Sequence, residues 1–173
     1  MNSLKILIAA LMVLVAFGGS AMAAASSTTQ VSASLSSYIS LAVPSSISGW
    51  TLSQGPNTLP VSLTVNSNAP WNIFVQSAKN IPESGNDYYG YFWSPSAFKA
   101  GLGVNVNGMG FLKNALVLNA GNDVPLSDDS APLVSGVSLG STSIPLAMKQ
   151  TVTMTDPAEN DYRIVIQFTA SNQ

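Results

Sequence analysis

Between Val31 and Val43 the chain alternates. Val31, Ala33, Leu35, Ser37, Ile39, Leu41 and Val43 share one register, while the other is mostly Ser and Ala, with Tyr38 the exception. A two-residue period sends one register to a buried face and the other toward solvent or a second layer, which is the pattern of a strand. The run is long for a single strand, so it is expected to bend, or to cross between sheets, near Ser36-Ser37. The same signature returns in "VSLTV", with Val61, Leu63 and Val65 on one face, and in "WNIFV", with Trp71, Ile73 and Val75 together and Phe74 opposed. Near the end, "YRIVIQF" aligns Tyr162, Ile164, Ile166 and Phe168; "LGVNV", "ALVL", "LVSGVSL" and "KQTVTMT" are weaker candidates. After an expected signal-peptide helix at residues 1–23, helical periodicity is missing except for a short turn at 96–100.

Turn chemistry punctuates these runs: "PSSISG", "SQGPN", "SNAP", "PESGND", "NAGND", "SDDSAP" and "TDPAEND". Short alternating segments with such spacing predict an all-β fold, an antiparallel β-sandwich of about seven to nine strands. An internal echo supports the strand–turn–strand reading. "ISLAVPSSISGWTL" and "VSLTVNSNAPWNI" each end in a Trp followed by an aliphatic residue two places on. Trp50 and Trp71 are therefore expected to anchor the core, each at the start of a second strand. The echo does not recur a third time, so a solenoid is not indicated.

The N-terminus has the layout of an export signal. Lys5 supplies a positive start, Leu4 to Phe17 is almost wholly apolar, and Ala21-Met22-Ala23 offers small residues for cleavage. The apolar stretch is shorter than the roughly 20 residues a membrane-spanning helix needs. Residues 1–23 are thus expected to be a signal peptide and 24–173 a single sandwich domain, secreted or held at the cell surface by protein contacts. The membrane enters only through the export signal.

Composition excludes several function classes. The chain has neither cysteine nor histidine, which removes disulfide staples, Ser-His-Asp and Cys-His nucleophilic machinery, and the usual zinc sites. Six basic and eight acidic residues provide no basic patch for phosphates, so nucleic acid is not an expected partner. So little charge of either sign leaves weak repulsion between copies and favours association.

Three constellations remain. Asp123, Asp128 and Asp129 in "NDVPLSDDS" are a candidate calcium site, since calcium takes roughly six to eight oxygens, often from loops; the alternative is solvated turns using Asx chemistry. "DPAEND" holds Asp156, Glu159 and Asp161 and invites the same two readings. Nothing fixes either set as an acid–base pair, and an enzyme is not expected. The glycines of "GLGVNVNGMG" match neither the dinucleotide nor the phosphate-loop spacing.

The third is "DYYGYFWSPSAF", which holds six of the fourteen aromatic residues. It reads as a cover for the sandwich core, a subunit interface or a sugar-stacking platform. Phe92 and Phe98 are expected to be buried. Tyr89, Tyr91 and Trp93 are expected to share one exposed face if the segment is extended.

Taken together, the signal, the first alternating strand running into "VPSSISGW", the "VNSNAPW" segment and the closing "YRIVIQFTAS" resemble small secreted prokaryotic surface proteins built as immunoglobulin-like sandwiches. The resemblance implies that fold. Some such sandwiches are subunits of surface fibres, in which one subunit completes its neighbour's sheet with a donated strand. On this view the chain is a non-enzymatic structural or adhesive protein whose partners are further copies or other surface proteins. "AASSTTQVSASLSSYISLAV" is the natural donor, and the alternative is that it pairs within its own domain. The competing function is a carbohydrate-binding module with Tyr89, Tyr91 and Trp93 as platform and a glycan as ligand.

Overall fold

The computed structural model describes residues 30–78, 89–95 and 110–173. The signal-like segment, "LGVNV", most of the glycine run, Tyr88, Phe98 and the turn at 96–100 lie outside the described residues. The backbone separates into two units, Met1–Leu35 and Ser36–Gln173. In the first, residues 30–35 form no strand, and Val31 and Leu35 are each 87% exposed.

The described part of the second unit is all-β, with eight strands and only antiparallel pairings. They are β1 (Ile39–Ala42), β2 (Gly55–Ser67), β3 (Trp71–Ser77), β4 (Val117–Asn119), β5 (Asp123–Pro125), β6 (Ala131–Gly136), β7 (Gly140–Val152) and β8 (Ile166–Asn172). One sheet runs β1-β2-β7-β4-β5 and the other β6-β3-β8, the two-layer arrangement of a β-sandwich. Alternation drives the layering. Leu63 and Val65 of β2 and Ile144, Leu146 and Met148 of β7 meet Trp71, Ile73 and Val75 of β3 and Leu133 of β6 in one buried cluster. Each buried aliphatic side chain contributes about 1.5–3 kcal/mol, the main source of stability where no disulfide exists.

β2 and β7 are paired along thirteen residues each, although both contain proline. Register explains why. The Asn68 N–H donates to the Tyr38 carbonyl, which aims the peptide groups of even-numbered β2 residues at the β1 side. Pro56 and Pro60 therefore leave no gap in the β2–β7 ladder; β1 reaches only Thr64–Ser67, so both prolines face an uncovered edge. Pro145 of β7 points to the opposite side, beyond the end of β4. In β6 the pairing with β3 shifts between Ile73 and Phe74, where Val134 and then Pro132 are the partners. Leu133 is the extra residue of this bulge, and it is turned into the core.

Three sequence expectations change. Only Ile39–Ala42 of the first alternating run is a strand; residues 30–38 are not, and the break falls just after Ser36-Ser37. "YRIVIQF" enters its strand at Ile166, yet Tyr162, Ile164, Ile166 and Phe168 all pack on the core as the alternation required. Trp71 is buried at the start of β3, whereas Trp50 lies in the coil before β2 and packs at the margin of the core.

Candidate functional site

The aromatic segment is laced in from both sides. Leu116 N–H donates to the Gly90 carbonyl (2.8 Å), Leu112 N–H to Phe92 (3.0 Å), and Ser94 N–H to Gly110 (2.7 Å). On the other flank Trp93 and Arg163 exchange backbone bonds of 3.1 and 2.8 Å. This double pairing lays Phe92 into the core, edge-on to Trp50 at 5.9 Å between ring centroids. Trp93 is only 9% exposed, with the Arg163 guanidinium 5.7 Å from its ring centroid. Tyr89 and Tyr91 are half-buried. The three rings do not form an open shared face, because Trp93 pairs with Phe111 and Arg163 instead of standing on a free strand. Phe92 is buried as its sequence position suggested, and the segment covers one part of the core.

Asp123 opens β5, and Asp128 and Asp129 are exposed in the turn before β6. The Lys149 ammonium binds Asp123 Oδ1 at 2.6 Å and the Asn119 amide donates to the same oxygen. These contacts hold the Asp123 carboxyl below the usual carboxylate range. In the second acidic segment Asp156 accepts the Lys113 N–H at 2.8 Å and the Thr153 N–H at 2.6 Å, so its carboxylate ties two turns together. Asp161 accepts the Ser94 hydroxyl. The Tyr162 hydroxyl donates to the Pro157 carbonyl at 2.7 Å. Burial, followed by Glu159, Asp156 and Asp161, pushes that phenol up to about 12. Among the described residues no three acidic, histidine or cysteine side chains converge as a metal site would need.

A cleft of about 410 Å³ lies between β3, β6 and the β4–β5 turn, lined by Asn72, Ala120, Asn122, Pro132, Val134 and Ser135 among others. Among the described residues that line it there is no aromatic side chain against which a sugar ring would stack.

The sheet edges are the remaining surface with a defined chemistry. Among the described strands β8 pairs only with β3, and its terminal bonds, Ala78 N–H to Val165 (3.0 Å) and Gln173 N–H to Pro70 (2.9 Å), fix which residues face β3. They are the odd-numbered ones. Ile166, Phe168, Ala170 and Asn172 therefore turn their N–H and C=O groups outward, and no described backbone group bonds them. β1 is the nearby edge strand of the other sheet, and the side chains of Ile39, Leu41, Ile166, Phe168 and Ala170 are all only partly buried.

Asn68 fixes where the chain enters β1. Its Oδ1 accepts the Tyr38 N–H at 2.6 Å and its Nδ2 donates to the Ser36 carbonyl at 2.9 Å. Sequence reasoning took "SNAP" as a turn and missed this role. The β8 edge was missed too, although "IQFTASN" displays its signal, a strand with neither proline nor charge. Comparison with protein-family models and with curated proteins gives no match for this chain.

Proposed function

We propose that this chain is a secreted, non-enzymatic cell-surface protein of structural or adhesive type, an immunoglobulin-like sandwich that assembles into fibres by β-strand addition. The observation that carries the reading is the alternating run at Val31–Ser37. Its apolar residues Val31 and Leu35 are exposed, and the sandwich has sheet edges that no described strand covers. An extended segment adding to such an edge gains a ladder of backbone bonds, and its alternate side chains fill a groove. Export through residues 1–23, sparse charge and the lack of histidine and cysteine agree with a protein that works by association.

Electron microscopy of protein purified without denaturant tests this, comparing the intact secreted chain with one lacking residues 24–35. The expected result is filaments from the first and monomers from the second. A monodisperse monomer at high concentration for both chains would sink the fibre reading. The glycan alternative has less support, since the Trp93 ring lies under Arg163 and only Tyr89 and Tyr91 retain partial exposure.

A further inference from the structure

Open strand edges invite promiscuous pairing, and proteins commonly blunt them with proline, bulges or very short strands. This sandwich applies those devices at every described edge but one. On the uncovered part of β2, between Gly55 and Leu63, the outward positions are Pro56, Thr58, Pro60 and Ser62, so two of four donors are missing. β5 has three residues and ends on Pro125, whose nitrogen faces outward because Leu126 N–H and Leu116 C=O mark the bonded register. β6 carries Pro132 and the bulge. The uncovered end of β7 carries Pro145. β1 is four residues long, with Pro44 following two places later. β8 alone offers seven residues with all four outward N–H groups intact, no proline and no charge.

We propose that β8 is the acceptor edge, and that its occupant is the Val31–Ser37 run of a second copy of this chain. The inference rests on the fibre reading above and adds where the strand goes. Length matches length: seven alternating residues against seven edge residues. Faces match as well. The inward side chains of β8 are the even-numbered Ile166, Phe168 and Ala170, so an added antiparallel strand places its matching register on the same face. Val31, Ala33 and Leu35 then lie over the partly buried Ile166, Phe168, Ile39 and Leu41, and Ser32, Ser34 and Ser36 face water. Neither strand carries charge, so nothing repels the pairing. The prolines on the other edges leave this one as the address.

The absence of cysteine makes a disulfide test clean. In antiparallel pairs the non-hydrogen-bonded positions bring Cα atoms to roughly 4.5 Å, within disulfide range; here these are the outward-facing serines against odd-numbered β8 residues. The chain carrying Ser34→Cys is combined in turn with Val165→Cys, Gln167→Cys and Thr169→Cys, and with Ser62→Cys on the β2 edge as control. Each double variant is assembled, mildly oxidised and run on non-reducing gels. The expected result is a ladder of covalent multimers, collapsed by reductant, for at least one β8 combination and none for the β2 control. Filaments without a β8 ladder, a ladder from the β2 control alone, or only internally closed monomer would overturn the β8 assignment. The absence of filaments in every variant and in the unsubstituted chain would defeat the fibre reading itself, a separate and recognisable outcome.

A second pair of variants borrows the protein's own device. Ala170→Pro removes an outward N–H that makes no bond to β3, and Thr58→Pro does the same on β2. Both variants should keep the far-UV spectrum of the folded sheet. Filament formation should fall at least tenfold for Ala170→Pro and stay unchanged for Thr58→Pro; equal effects from the two would reject the proposal.

Discussion

Gly90 has a φ of 86°, and a Cβ built there would overlap the carbonyl oxygen of Leu126. Backbone of this hand is unfavourable for other L-residues by roughly 1–2 kcal/mol, and the overlapping atom is backbone that cannot swing aside. Gly90→Ala is therefore expected to lower stability by about 3 kcal/mol, read from urea midpoints. The loss should coincide with a change in Trp fluorescence, because Gly90 holds the segment that carries Phe92 and Trp93. Tyr162 sets a second residue-scale expectation, in alkali. Its phenol ionises near 10 when unfolded and at about 12 when folded, so the folded state keeps the proton longer. Its contribution is complete below pH 10 and is lost as pH rises toward 12. Stability of the native chain should fall across that window more steeply than that of Tyr162→Phe. Near neutral pH the variant should be weaker by about 1 kcal/mol, for the lost bond to Pro157.

At the scale of elements, the strongest alternations were legible in the sequence, and misjudged boundaries trace to particular residues. Val61, Leu63 and Val65 announced β2, but "SQGPN" read as a turn, so its first half, with Pro56 and Pro60, was lost. Those prolines are tolerated only because of which neighbour each nitrogen faces, a fact of register that a single strand's residues do not contain. Pro145 hid the first half of β7 for the same reason. The Val31–Val43 run erred in the other direction. Its alternation describes what the segment is able to pair with, while β1 finds a partner only at Thr64–Ser67. The aromatic segment was legible as core cover through Phe92, but its side-by-side pairing with Arg163 and Phe111 depends on long-range contacts. Asn68 links this reasoning to a measurement. Asn68→Ala removes two side-chain bonds to residues 36–38, and a loss of about 1 kcal/mol is expected. Hydrogen exchange should speed up at Tyr38, Ser40 and Ala42, whose N–H groups face Asn68 or β2, and leave β3 unchanged. Uniform acceleration across both sheets would mean that Asn68 acts on the whole fold and not on the entry to β1.

For the whole molecule, the sparse charge of the chain makes a prediction about the force that holds copies together. Assembly through opposed charged patches weakens with ionic strength, because exposed charges separated by more than about 8–10 Å are screened at physiological salt. Neither Val31–Ser37 nor β8 contains a charged residue, and the one described ion pair, Lys149 with Asp123, sits on the β7–β5 side of the other sheet. Backbone bonds and buried apolar side chains are not screened in this way. A salt that is excluded from the protein surface strengthens apolar burial. Light scattering of assembling protein should therefore show the same extent in about 50 mM and about 500 mM sodium chloride, roughly threefold either side of physiological strength. Sodium sulfate at matched ionic strength should increase it. A steep fall with sodium chloride would identify charge as the adhesive force and remove strand addition between these two uncharged segments as the mechanism.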